Sequence, residues 1–283
     1  MMTVARAYDA IAHEYDAHLV SDPVAGYMRA RLHEHMRCLF HPGDHVLDLA
    51  AGTGTDACYL AALGVQVTAL DASPGMVAEL KQTAARCGVQ VDTCVLSAER
   101  LDELDARDLD GAISTFAGLN TMDDLPRLAQ NLAERLKPHG RVLVHALNAF
   151  CLWKWAATHC HSERPFGFAQ GRREESRSCG TETLRFAQGD KLTHVTIGGQ
   201  VVPHRVYDPF ALWRTAFAEQ FDLRRAYALS GIAGLPLIKR FSFAAGPLFV
   251  LDRIMGQMFP ATGDFFVVEL EKRDAQRRNT PCI

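Results

Sequence analysis

Asp48, Gly52, Gly54, Asp56 and Asp71 are the residues whose types and spacing point most directly to chemistry. They fall in and after the stretch Val46-Leu47-Asp48-Leu49-Ala50-Ala51-Gly52-Thr53-Gly54-Thr55-Asp56. An apolar run carrying an aspartate leads into a glycine-containing turn, and helix-forming Ala57–Leu63 follows. Glycine lets a backbone approach a ligand where a side chain would block it. Asp71 closes a second apolar run, Val65–Leu70. An acid about twenty residues beyond such glycines is placed to take ribose hydroxyls. Strand, tight loop, helix start and second acid together suit a ligand that carries adenosine.

The charges bear on which ligand that is. Gly52-Thr53-Gly54-Thr55-Asp56-Ala57 fits the dinucleotide pattern G-x-G-x-x-G/A. A dinucleotide sets its pyrophosphate against this loop at the positive end of the helix. Asp48 and Asp56 are expected beside that phosphate, where like charges are unfavourable. S-adenosylmethionine has no phosphate and carries an ammonium and a sulfonium, which a nearby carboxylate suits. The reading is therefore an S-adenosylmethionine site. An NAD-dependent oxidoreductase and a non-catalytic S-adenosylmethionine-binding protein stand as the alternatives.

These residues need a sheet to hold them. Strands are expected at Val46–Leu49, Val65–Leu70, Val89–Leu96, Gly111–Thr115 and Arg141–Leu147, with helices at Ala57–Leu63, Pro74–Cys87 and Asp123–Leu136. Pro74 suits a first helical turn, and Lys137-Pro138-His139-Gly140 turns a helix into a strand. Apolar strands alternating with helices predict a doubly wound α/β fold with a mostly parallel sheet covered on both faces. The chain's 283 residues suffice for one large domain with elaborations. Hydrophobic residues make up 48% and charged residues 22%, as in ordinary globular proteins.

The expected divisions are a helical N-terminal extension over 1–44, a cofactor-binding core over 45–148, a flexible insertion over 149–194, completion of the sheet and an acceptor lid over 195–272, and a tail over 273–283. Within the insertion, Phe168-Ala169-Gln170-Gly171 recurs as Phe186-Ala187-Gln188-Gly189 around a polar stretch without periodicity. Later elements are expected at Gln200–Tyr207 (strand), Pro209–Phe217 (helix), Leu223–Leu229 (strand) and Asp264–Leu270 (last strand). The apolar Leu229–Phe259 is the expected wall of the acceptor site.

Five motifs in order make the chain resemble a class I S-adenosylmethionine-dependent methyltransferase of the small-molecule type. The opening reads Tyr8-Asp9-Ala10-Ile11-Ala12-His13-Glu14-Tyr15-Asp16, and the glycine motif Leu47–Gly54 follows. Then come Ala69-Leu70-Asp71-Ala72-Ser73-Pro74-Gly75-Met76, the fourth-strand region Asp110–Asn120, and the fifth-strand entry Leu136–Leu143. The resemblance implies a Rossmann-like seven-stranded sheet whose last strand is antiparallel, and S-adenosylmethionine as cofactor. It implies that Gly52 and Gly54 line the methionine part, in one loop with Ala50 and Thr53. Asp48 would orient the ammonium, and Asp71 would hold the ribose. Ala72 and Met76 would flank the adenine, Ser97 and Ala98 would meet its edge, and Thr115 and Phe116 would end the fourth strand beside the ligand. Ala50 stands where the family often has glycine, and serves if its φ stays negative. Ser97 stands where the family often has aspartate, and lacks charge assistance toward the adenine amino group.

The implied reaction is methyl transfer to a small-molecule acceptor at oxygen, nitrogen or carbon. Alignment alone lowers such a barrier by about 7–11 kcal/mol in favourable cases. A general base is needed only where the nucleophile must lose a proton. His145, His13 and Tyr15 are the expected catalytic residues. Cys151, His159, Cys160 and His161 match no common zinc spacing, and no metal is expected. A net charge of -3 makes no electrostatic case for nucleic acid. No signal peptide, no spanning apolar stretch and eight scattered cysteines imply a cytoplasmic protein. The apolar Leu229–Phe259 leaves peripheral contact with a membrane open. Nothing in the sequence signals an oligomeric state.

Overall fold

The computed structural model describes residues 4–20, 22–151, 191–197, 200–232 and 245–274. Three helices precede the sheet: α1 (Val4–Asp9), α2 (Tyr15–Val20) and α3 (Pro23–Leu39). Asp22 caps α3 by accepting from the Val24 N–H at 2.9 Å, and Pro23 begins it where no intrahelical donor is required. The core then alternates β1 (His45–Leu49), α4 (Thr55–Ala62), β2 (Gln66–Asp71), α5 (Pro74–Cys87), β3 (Asp92–Val95), β4 (Leu109–Ser114), α6 (Leu125–Arg135) and β5 (Leu136–Leu147). After the segment 152–190, which lies outside the described residues, come β6 (Lys191–Ile197) and β7 (Gln200–Val206). Then follow α7 (Pro209–Leu212), continued by a wider helical turn through Phe217, β8 (Phe221–Leu229), α8 (Ala245–Met258) and β9 (Phe265–Lys272).

The sheet has seven strands in the order β3-β2-β1-β4-β5-β9-β8. β1 to β5 run parallel, and β9 lies antiparallel between β5 and β8. This is the Rossmann-like seven-stranded arrangement with an antiparallel last strand, carrying a helical N-terminal extension. The strand order reverses between β1 and β4, which opens a crevice beyond their C-terminal ends. Alternation along β1 divides the interior into two layers. Leu47 and Leu49 pack on the α6 side, and Val46 packs under α3 and α4.

Regular structure resumes earlier than the sequence suggests. β6 pairs with β7 in an antiparallel hairpin, from Lys191↔Val206 to Ile197↔Gln200. This hairpin lies outside the main sheet and is tied to it by hydrogen bonds between Tyr207 and both Leu147 and Ala149. The expected lid also differs. Residues 233–244 lie outside the described residues. Within α8, Leu248 and Phe249 join the core beside α3, and Tyr27 stacks on Phe249 at 4.2 Å. Val250, Leu251, Ile254 and Met258 remain exposed on α8. No helix among the described residues is long and apolar enough to cross a membrane.

Candidate active site

The crevice holds a cavity of about 550 Å³ bounded by the Ala50–Thr53 loop, Asp71 and Ala72, Met76, Leu96–Glu99, Thr115 and Phe116, with Tyr15, Arg29 and Asp56 across it. Ten of the twelve residues expected to meet a cofactor line it: Ala50, Gly52, Thr53, Asp71, Ala72, Met76, Ser97, Ala98, Thr115 and Phe116.

The loop geometry explains the glycines. Gly52 has φ 55°, and a Cβ there would meet no protein atom within 4 Å, so the space beside it is left for a ligand. Gly54 has φ 81° and serves the fold instead. A Cβ there would stand 2.3 Å from Leu80 Cγ, and this close approach seats α4 on α5. Gly54 does not line the cavity. Ala50 departs from expectation, for its φ is 56°, in the left-handed region. The methyl group is accommodated because Gly118 faces it; a Cβ on Gly118 would lie 2.9 Å from the Ala50 Cβ. Asp71 ties the loop to β2. It accepts from the Gly52 N–H and the Ser73 N–H, each at 2.9 Å, and still lines the cavity. Burial pushes its carboxyl above the ordinary value, more than these backbone donors pull it down.

The charges are arranged differently from the sequence reading. Asp48 lies on the α3–α4 side of β1 with Val46 and does not line the cavity. It is 1% exposed, and neither carboxyl oxygen has a hydrogen-bond partner among the described residues. Burial, with Asp56 and Asp71 nearby, pushes its carboxyl well above the ordinary range. Asp56 does face the cavity, but it is compensated. It accepts from Arg29 at 3.2 Å, from His33 at 2.7 Å and from the Thr115 hydroxyl at 2.7 Å. Burial raises its pKa, yet these partners outweigh burial and hold it at about 2. The sequence argument that Asp48 and Asp56 repel a phosphate therefore does not hold as stated. Arg29, which also lies 4.4 Å from the centre of the Phe116 ring, puts a cation at the cavity wall.

The opening Tyr-Asp repeats fall into a division of labour. Tyr8 and Tyr15 point inward and meet edge-on, with ring centres 6.2 Å apart. Asp9 accepts from the Ser73 hydroxyl at 2.8 Å and the Gly75 N–H at 2.6 Å. Asp16 accepts from the Thr53 hydroxyl at 2.6 Å. The aspartates thus fasten α1 and α2 to the loops that follow β2 and β1, and the tyrosines line the cavity. Gly75 is required for this, because a Cβ there would stand 2.7 Å from Asp9 Oδ1.

The three expected catalytic residues are separated. Tyr15 lines the cavity, and burial raises its hydroxyl to about 12. His13 is exposed on the surface beside Glu79. His145 is fully buried behind Phe116. Its Nδ1 accepts from the Phe116 N–H at 3.1 Å, so the proton sits on Nε2, which has no partner among the described residues. Burial lowers its pKa to about 3.

Beyond Phe116 lies an inner chamber of about 320 Å³, which shares Tyr8, Tyr15 and Phe116 with the main cavity. The β6–β7 hairpin contributes to both. Leu192, Pro203 and Arg205 line the main cavity, while Thr193, Val195, Ile197, His204 and Val206 line the inner one. Asn120 secures this hairpin by donating to the Arg205 carbonyl and accepting from the Leu147 N–H.

Residues 46–140, which hold the loop, Asp71 and Phe116, match the model of a methyltransferase domain family. Over this stretch the chain is similar to methyltransferase domains. A ubiquinone biosynthesis O-methyltransferase of Xanthomonas axonopodis pv. citri is 32% identical over 143 residues, which are 50% of this chain and 56% of that one. A demethylmenaquinone methyltransferase of Corynebacterium urealyticum is 31% identical over 144 residues, 50% of this chain and 58% of that one. The chain spans little more than half the length of these curated relatives. The solved CcbJ methyltransferase of Streptomyces caelestis shares the fold, with a TM-score of 0.57 at 21% identity, over 95% of this chain and 98% of that one. The sequence motifs imply S-adenosylmethionine as the cofactor, and the residues lining the cavity suit it. The lining offers free space at Gly52, the carboxyl of Asp71 and the cation of Arg29.

Arg29, Tyr8 and the hairpin are what sequence reasoning missed. Nothing local separates Arg29 from the other arginines of α3, since its partners are 27 and 87 residues away. The hairpin did have a signal. Gly198-Gly199 sits between two β-rich runs, and such a pair is a hairpin signature.

Proposed function

We propose that the chain transfers a methyl group from S-adenosylmethionine to a small-molecule acceptor. One observation carries this reading: a cavity of cofactor size shares Phe116, Tyr8 and Tyr15 as a common wall with a second, mainly apolar chamber. When bound, S-adenosylmethionine supplies a methyl carbon activated by its sulfonium. Gly52 and Thr53 would meet the methionine part, and Arg29 its carboxylate. Asp71 would take the ribose hydroxyls, and Met76, Ser97 and Ala98 the adenine. Tyr8 and Tyr15 keep water from the junction of the chambers, where alignment must be held.

The relatives' names, an O-methyltransferase and a demethylmenaquinone methyltransferase, support an organic acceptor that carries a ring. His145 serves here as a support. Its Nδ1 lone pair is spent on the Phe116 N–H, which fixes the end of β4. The unpaired cysteines Cys38, Cys58, Cys87, Cys94 and Cys151 support a reducing, cytoplasmic location. The test is release of S-adenosylhomocysteine from S-adenosylmethionine with a panel of phenols, quinols and amines. Turnover with one class supports the reading; binding of the cofactor without turnover on any of them contradicts it.

A further inference from the structure

We propose that His204 accepts the hydroxyl proton of a mainly apolar acceptor held in the inner chamber. The proposal deepens the methyl-transfer reading and rests on it. His204 is the one histidine lining either chamber among the described residues. It lies outside residues 46–140, on the β6–β7 hairpin.

Its chemistry is fixed by its surroundings. The side chain is 3% exposed, and Nδ1 lies 3.2 Å from the Val202 carbonyl. A carbonyl only accepts, so the Nδ1 carries the proton and the Nε2 keeps a lone pair. The Tyr8 hydroxyl lies 3.4 Å from that Nε2, a long contact that an incoming hydroxyl can displace. Burial lowers the pKa of the ring, outweighing the Val202 carbonyl, so the lone pair is open at neutral pH. His145 has the opposite arrangement, with its lone pair already engaged. Ile11, Leu147, Val195, Ile197 and Phe265 make much of the chamber wall apolar, with Asn148 and Thr193 as neutral polar groups on it. The other titratable groups on the wall are Tyr8, Tyr15 and Asp264.

On a mainly apolar wall, the buried acceptor at Nε2 favours a ligand with a matching donor, because a ligand lacking it leaves that acceptor unpaired. The proton balance is simple. The acceptor's O–H bond breaks, the proton passes to Nε2, and the electron pair stays on oxygen for the new bond to carbon. The resulting imidazolium loses its proton to water once product leaves. Tyr8, shared by both chambers, marks where the hydroxyl must come to meet the donor.

The test uses the full chain saturated with S-adenosylhomocysteine and two probes, 4-nitrophenol and 4-nitroanisole. They differ in a hydroxyl against a methoxy group. Calorimetry is expected to show the phenol binding at least tenfold more tightly. His204→Leu should erase that preference with S-adenosylhomocysteine affinity unchanged, and His204→Gln, which keeps an acceptor, should restore part of it. Should His204→Leu fail to bind S-adenosylhomocysteine, Ile197→Trp replaces it. Filling the chamber must then abolish binding of both probes and spare S-adenosylhomocysteine. The proposal is overturned if the folded His204→Leu variant keeps the preference, if the wild type has none, or if the phenol competes with S-adenosylhomocysteine. Failure of the wild type to bind S-adenosylhomocysteine overturns the methyl-transfer reading, and this proposal with it.

Discussion

Gly52 and Gly54 stand in one loop, yet replacement by alanine is expected to fail in two different ways. Both have positive φ, 55° and 81°. Forcing a side chain into that region costs about 1–2 kcal/mol. At Gly54 the new Cβ also lands 2.3 Å from Leu80 Cγ and 3.2 Å from its Cβ. Leu80 is fully buried in α5 and cannot swing away. Overpacking of that kind adds about 1–3 kcal/mol, for a total of about 2–5 kcal/mol. For a chain of this size the melting temperature should fall by roughly 10 °C. At Gly52 the Cβ meets nothing, so only the backbone term of about 1–2 kcal/mol applies to stability. The same methyl group, however, takes space at the cavity wall. Affinity for S-adenosylhomocysteine should fall at least tenfold, about 1.4 kcal/mol. Thermal melts and calorimetric titrations of the two variants give four numbers. A Gly52→Ala variant that binds normally, or a Gly54→Ala variant as stable as the parent, would refute the division.

Asp71→Ala should weaken S-adenosylhomocysteine binding by one to two orders of magnitude, roughly 1.4–3 kcal/mol for lost charged hydrogen bonds; unchanged affinity in a folded variant removes the ribose assignment. The carboxyl of Asp56 is held at about 2, below its ordinary value, so it contributes stability above about pH 4 that is lost as pH falls through 2. That contribution is roughly 2–3 kcal/mol. Arg29→Met should shrink it, and denaturant midpoints of parent and variant should converge between pH 4 and pH 2; parallel curves would show that Arg29 is not the partner. Asp9→Ala loses contacts to the Ser73 hydroxyl and Gly75 N–H, so α1 should exchange amide protons faster and the cofactor should dissociate faster in stopped flow. An unchanged dissociation rate would mean that α1 does not gate the cavity.

The core was legible because its signals are local. Apolar runs, the glycine turn and Pro74 each fix a neighbourhood of a few residues, and their order fixes the parallel sheet. Orientation was harder. Asp48 was expected in the cavity, but it shares the face of Val46, and strand alternation sends that face toward α3 and α4. Ala50 was expected at negative φ; the room that allows its positive φ comes from Gly118, which sequence proximity does not suggest. Arg29 became visible only when the fold brought Asp56 and Phe116 to it. The second half was less legible because hairpin and helix there complete surfaces that the first half creates. α8 reads as an apolar wall for an acceptor, but its partly buried Leu248 and Phe249 pack against the core that α3, β8 and β9 share.

The central claim is that the cavity beside β1 is a site for S-adenosylmethionine. The most direct measurement is a calorimetric titration of the full chain with S-adenosylmethionine and, separately, with NAD. One S-adenosylmethionine per chain should bind, with affinity lost in Gly52→Ala and no heat from NAD. Saturable binding of NAD that S-adenosylmethionine cannot displace would contradict the account.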